Sequence, residues 1–253
     1  MAPALHEVYR QYFDTIAVQQ EDRALRDEVF RLRYQVYCVE NPFEDPAEHP
    51  DGLEHDVYDE RATHCLLFHK RTESWAGTAR LILPNAEDPN HSFALQEVCN
   101  DPAIYDPQRF PVMQMGEISR FCISKDFRRR QGDGMFPASE DPETRSDERR
   151  VIPNMTLGLM EGLIRMSLDH GLFYQCAVME RPLLRLLDRL GIRFTHIGPL
   201  VEYHGRRQPC MLKLETMLQE VREERLDVWE ILTEGGRHWE RLQELKAARP
   251  TPA

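Results

Sequence analysis

The chain has 253 residues, 41% of them hydrophobic and 30% charged, with a formal net charge of −11. That length and balance suit one α/β domain with a sizeable core, and the acidic excess argues against a nucleic-acid binder, which usually presents a basic face. No apolar run approaches the roughly 20 residues that span a bilayer, and the charged N-terminal stretch has no apolar signal core, so the expectation is a cytoplasmic protein without a transmembrane segment.

Taken in chain order, "FDTIAVQ" (13–19) reads as a first strand. Residues 21–40 predict a helix with Asp22 as its cap. Its core stripe is Leu25, Val29, Leu32 and Val36, at helical spacing. A second stripe, Arg26, Phe30, Arg33 and Tyr37, runs beside it, rotated by one residue. This row is either an amphipathic border whose arginines reach for water or the wall of a cleft. The proline-rich 41–52 must be a loop, and it leads into the acidic "LEHDVYDERATH", with Glu54, Asp56 and Asp59 close together.

"THCLLFHK" (63–70) and "WAGTARLILP" (75–84) predict an antiparallel hairpin. Residues 85–112 read as an irregular crossing with one short helix near "FALQEV", and 113–124 as the central strand. A polar insert follows, flexible near 126–150. A helix over 152–170 carries Gly158 and Gly162 on one face, which allows close packing on a sheet or ligand. Then come a strand (173–179), a helix (181–190), two strands (192–198 and 207–214) and a long charged helix (about 216–247). This alternation predicts one mixed-sheet domain over 1–215 and a C-terminal helical extension over 216–253.

The six cysteines lie more than four residues apart, so no zinc or redox spacing exists, and they read as reduced core thiols. His64 beside Cys65 is weak evidence for a dyad, because strand neighbours point to opposite faces.

Two charges do not fit a plain core. Arg80 interrupts the apolar "TARLIL", and Arg120 interrupts "SRFCIS". An unpaired buried guanidinium is costly and does not lose its proton, so each needs a carboxylate. Arg26, Arg80 and Arg120 could balance Asp56, Asp59 and Glu117; alternatively, both strand arginines could face water on an open sheet. Beyond the strand, Lys125, Arg128, Arg129 and Arg130 form a basic run, either a solvated turn or a surface for an acidic partner.

The segments "LRDEVFRLRYQVY", "LEHDVYDERATH", "GTARLILP" and "GEISRF" stand in the order and rough spacing of the motifs of acyl-homoserine-lactone synthases, which they resemble over 21–124. The closing half, "VMERPLLRLLDRLGIRFTHIGPLVEYHGRRQPCMLKL", resembles exosortase/PEP-CTERM-associated acyltransferases and N-acyl amino acid synthases. The lactone synthases' acceptor-side tryptophan would fall on Val36, with Tyr37 the nearest aromatic, which leaves the acceptor open.

The resemblance implies an N-acetyltransferase-like fold, a twisted mixed sheet with splayed central strands. It implies no permanently bound cofactor and no metal; the donor would be an acyl-phosphopantetheine thioester on acyl-carrier protein. Glu117 would be the base, with Arg80 and Arg120 beside it. Arg26, Phe30, Arg33, Tyr37, Asp56 and Asp59 would shape the acceptor site, and backbone near Phe121, Cys122 and Ile123 would meet the thioester. Lys125, Arg128, Arg129 and Arg130 would steer the carrier protein. "RRQGDG" fits the phosphate-loop pattern of the superfamily, but the insert separates it from the next helix. The expected product is an N-acyl amino acid. The alternatives are a lactone synthase using S-adenosylmethionine, a coenzyme A-dependent acetyltransferase, and a non-catalytic acyl-carrier or lipid-binding regulator.

Overall fold

The computed structural model describes residues 5–128 and 151–249. Helix α1 (Leu5–Tyr12) runs directly into β1 (Phe13–Val18), and α2 (Arg23–Tyr34) follows, capped by the Asp22 carboxylate on the Leu25 N–H. A π-helical turn, Gln35–Glu40, continues α2. The hairpin is β2 (Ala62–His69) and β3 (Ser74–Ile82); a crossing with the five-residue α3 (Ala94–Val98) leads to β4 (Met115–Ile123) and the short α4 (Lys125–Arg128). Then come α5 (Val151–Asp169), β5 (Tyr174–Glu180), α6 (Arg181–Arg189), β6 (Thr195–His196), β7 (Val201–Glu202) and β8 (Arg206–Lys213).

The chain closes on three helices, α7 (Leu214–Glu224), α8 (Leu226–Leu232) and α9 (Arg237–Ala247), where the sequence reads as one. The non-helical backbone of Arg225, at φ −142° and ψ 71°, makes the first break. Gly235 and Gly236, both at positive φ, make the second, a conformation that costs glycine little.

The sheet order is β1-β2-β3-β4-β5-β8-β6, with β7 added on β8. Among the described strands only β4 and β5 run parallel, and their register ends at Ile118↔Ala177, while β4 continues along β3 to Ile123 and β5 along β8 to Glu180. Beyond that point the two central strands part, leaving a V-shaped notch.

Strand alternation sorts the two faces of the sheet. On β2, Cys65 and Leu67 face α5, whereas Leu66 packs with Val29 and Phe30 of α2. The glycine face of α5 meets the sheet: a Cβ at Gly158 would lie 2.8 Å from Leu67, and one at Gly162 2.8 Å from both Cys65 and Thr15. All six cysteines are free and buried. Burial pushes the Cys65 thiol up to about 12, so it is no nucleophile. Among the described residues, no helix is long and apolar enough to cross a membrane.

Candidate active site

The charged residues of β3 and β4 gather on the α2 face. Arg80 donates to both oxygens of Asp56 at 2.6 and 3.0 Å, reaches Asp59 at 2.9 Å, and donates from Nε to the Ser119 hydroxyl at 2.8 Å. Arg33, fully buried, clamps Asp59 at 2.7 and 3.0 Å and pairs with Glu54. Arg120 meets Glu54 at 2.9 Å, Glu44 at 3.0 Å and Asp56 at 3.1 Å. Three guanidinium groups thus face four carboxylates. Burial alone would raise Glu54, but Arg33 and Arg120 outweigh it and hold that carboxyl at about 2. Asp59 is likewise held far below its ordinary range, burial being overcome by Arg33 and Arg80. The acidic pair also builds the local backbone: Asp56 caps the 3-10 turn Val57–Arg61, and Asp59 accepts the Asp56 N–H at 2.8 Å.

Alternation would send Arg120 to the same side as Ile118, into the apolar cluster under α5. A bulge prevents this. Thr78 pairs with Cys122 and Arg80 with Ser119, so Arg120 and Phe121 together oppose one residue of β3. Arg120 takes φ +47°, the left-handed region, and its side chain turns to the carboxylates that also hold Arg80. That backbone strain is offset by the ion pairs it permits.

Glu117 stands apart from these pairs. Its two oxygens accept the backbone N–H groups of Ala94 and Leu95, at 2.8 and 3.0 Å, at the start of α3. It is buried, and burial raises its carboxyl to about 7 despite those N–H groups and the nearby Arg80. A carboxyl that titrates near neutrality is suited to proton transfer. It lines a small pocket of about 60 Å³ with Arg80, Arg120, Tyr203, His204 and Arg207, large enough for ordered water.

A larger cavity of about 470 Å³ fills the notch between β4 and β5. Phe121, Cys122 and Ile123 line it together with Val178, Leu183 and Leu186. Tyr37, Phe43, Ser119, Arg120 and Arg207 border both spaces, so the notch and the Glu117 pocket are contiguous.

The second stripe of α2 divides. Tyr37 borders both spaces, with Arg120 5.4 Å from its ring centre. Phe30 is core, and Arg33 is locked in the ion network. Arg26 takes no part in the network; it lies 5.7 Å from the Phe30 ring centre and donates to the Gln20 carbonyl. The three-against-three set drawn from the sequence is therefore corrected: Arg33, Glu54 and Glu44 belong to it, and Arg26 and Glu117 do not. Buried His64 lies 3.5 Å from Asp59, and burial with Arg33 lowers it to about 3, so it stays neutral.

Lys125 is tied to Glu40, donating its backbone N–H to the carboxylate at 2.8 Å and its ammonium to the carbonyl. Arg128 ends α4, but its side chain, Arg129, Arg130, the rest of the insert to residue 150 and all of "RRQGDG" lie outside the described residues.

Sequence reasoning assigned no role to Glu44, Tyr203, His204 or Arg207. Glu44 sits in a loop whose prolines drew attention to shape over charge. The other three stand in "EYHGRR", where Gly205 at φ +96° and His204 at φ +48° form a tight turn between β7 and β8.

Residues 32–136 match the family model described as an acetyltransferase (GNAT) domain. The fold is that of the GNAT acyltransferases. The chain is similar to a CoA-dependent acyl-homoserine lactone synthase, BjaI, at 21% identity, with 88% of this chain and 99% of that one covered and a TM-score of 0.53. It is similar to the AHL synthase LasI at 18% identity, covering 79% and 87%, with a TM-score of 0.51. FeeM, an N-acyl amino acid synthase from uncultured soil microbes, aligns at 16% identity over 82% and 95%, with a TM-score of 0.47. At these identities the likeness establishes the fold alone. No curated protein matches the sequence.

Proposed function

We propose that the protein is an N-acyltransferase that moves a long-chain acyl group from acyl-carrier protein to the α-amine of an amino acid. The observation that carries this reading is the junction of the β4–β5 notch with the pocket of Glu117, a buried carboxyl raised to about 7. The notch supplies an apolar seat for a thioester-linked chain, and the pocket supplies a base where the amine must arrive.

In the proposed reaction Glu117 takes a proton from the ammonium through water, and the free amine attacks the thioester carbon. A backbone N–H at the Arg120–Phe121 bulge receives the oxyanion. Collapse breaks the C–S bond and forms the amide as the attacking nitrogen gives its second proton, through water, to the departing thiolate, and Glu117 releases the first proton to solvent. No enzyme nucleophile is needed.

The carrier protein as donor is supported by a net basic rim: Arg181, Arg185 and Arg206, against the single carboxylate of Glu180, line a shallow opening beside the notch, with Arg206 also 3.7 Å from Glu202. Such a rim attracts an acidic carrier by charge complementarity. The amino-acid acceptor is supported by the likeness of the closing half to N-acyl amino acid synthases and exosortase-associated acyltransferases.

The test supplies purified protein with a long-chain acyl-carrier protein, an amino-acid pool and S-adenosylmethionine together. N-Acyl amino acid is the expected product. Acyl-homoserine lactone in its place overturns the acceptor, equal turnover of acyl-CoA overturns the donor, and absence of thioester cleavage overturns the enzyme.

A further inference from the structure

Arg207 differs from the other arginines around the Glu117 pocket. Arg80 and Arg120 each hold two or more carboxylates, and their charges are met within the network. Among the described residues Arg207 makes one ion pair, a 3.2 Å pairing of one terminal nitrogen with the half-exposed Glu180. Its Nε is buried and has no hydrogen-bond partner among the described residues. A buried donor without an acceptor is costly, and a guanidinium cannot relieve the cost by losing its proton. The side chain borders both the notch and the pocket, and its guanidinium carbon lies 6.0 Å from the Tyr203 ring centre.

The pocket is therefore polarised. Glu117 stands on the side of the pocket nearest the network, which carries one more carboxylate than guanidinium, and makes that side a place for an ammonium. The β7–β8 end presents a cation with donors to spare, a place for an anion. A zwitterion fits both ends at once. We infer that Arg207 is the acceptor-carboxylate anchor: its guanidinium receives the α-carboxylate of the amino acid while the amine faces Glu117. This assignment rests on the amino-acid acceptor proposed above, and it replaces Arg26 and Arg33 of α2 in that role, since Arg33 is fully buried among its own partners and Arg26 does not line the pocket.

The test reads binding, so that it stands apart from turnover. Calorimetry on the full chain compares N-myristoyl-alanine with N-myristoyl-alaninamide, which differ only in the carboxylate. The wild type should bind the acid roughly 10- to 100-fold more tightly, as for a hydrogen bond to a charged group. Arg207→Gln should abolish that preference, and Arg207→Lys should keep part of it, with thermal melting checking that each variant folds. A preference that persists in Arg207→Gln overturns the assignment, as does a wild type that binds both probes equally or neither. If the preference behaves as expected while no thioester is consumed, Arg207 remains a carboxylate site and the transferase reading is the one that fails.

Discussion

The two ends of the candidate site hold their charges in opposite ways. At the α2 end, Arg33, Arg80 and Arg120 are locked to Glu44, Glu54, Asp56 and Asp59, and each guanidinium has at least two carboxylate partners. At the other end, among the described residues, Glu117 has backbone N–H partners only, and Arg207 has one half-exposed carboxylate. The difference separates scaffolding from chemistry. Charges that satisfy one another fix the acidic loop on the sheet; charges left poorly matched are available to a substrate. Substitution at the two ends should therefore give different phenotypes.

The largest effect is expected at Glu117. Glu117→Gln keeps the shape and one acceptor oxygen but cannot take a proton. Turnover should fall roughly 10²- to 10⁴-fold, the usual contribution of a general base. Single-turnover acyl transfer checks this, alongside an unfolding curve that should show the variant folded. Full activity in the variant would remove Glu117 from the chemistry and erase the contrast between the two ends.

The α2 end should fail in stability. Arg33→Ala takes from Glu54 and Asp59, both buried, one of the two guanidinium partners each has, and Arg80→Ala takes from Asp56 its bidentate partner. Each should cost roughly 3–5 kcal/mol, the penalty for breaking a buried ion pair from one side. Urea unfolding measures it. A cost below about 1 kcal/mol would mean that water reaches the network and that it does not fix the loop.

These residues also mark what the sequence made legible. Arg80 and Arg120 stood out because a guanidinium inside an apolar strand demands a partner, and their partners lay in the acidic segment that follows the loop. The order of strands and the α5 glycines could be read because alternation and spacing are local properties. What could not be read depends on backbone detail or on distant contacts. Glu117 and Arg120, three apart, belong on opposite faces of a regular strand, and only the bulge at φ +47° brings Arg120 round. Arg207 and Glu117 come from strands separated by most of the second half of the chain. Glu44 gave no signal, since an acidic residue in a proline-rich loop looks like any solvated charge. The C-terminal helix was read as continuous because its charged pattern persists across Gly235 and Gly236.

The two ends should also respond to pH with opposite sign. Glu117 is raised in the folded state from 4.5 to about 7. Its contribution to stability is full below about pH 4.5 and is lost as pH rises through 7. Glu54 is lowered from 4.5 to about 2, so its contribution is present above pH 4.5 and is lost as pH falls toward 2. Each amounts to at most about 3 kcal/mol. Unfolding free energies measured across pH should show Glu117→Gln flattening the limb between 4.5 and 7 while leaving the acid limb in place. Activity runs the other way: kcat/KM should rise through about pH 7 as Glu117 ionises. A rise unchanged in the variant would assign that limb to another group.

The smallest effect is expected at Arg26, and it isolates what burial adds. Arg26 and Arg33 stand two turns apart on α2, flank the same Phe30 ring at 5.7 and 5.3 Å, and look equivalent in sequence. Arg33 has two buried carboxylates, whereas Arg26 has a backbone carbonyl at 3.3 Å in an exposed contact. Removing Arg26 leaves no charge behind, and an exposed cation–π contact contributes only about 0.5–1 kcal/mol. Arg26→Ala should therefore cost no more than about 1 kcal/mol and leave kcat/KM within a few-fold of the wild type, while Arg33→Ala costs several times as much. A loss of turnover in Arg26→Ala with stability intact would place Arg26 against the substrate and return the α2 stripe to the acceptor site. Equal destabilisation by both would show that the ring contact, and not the carboxylates, holds Arg33.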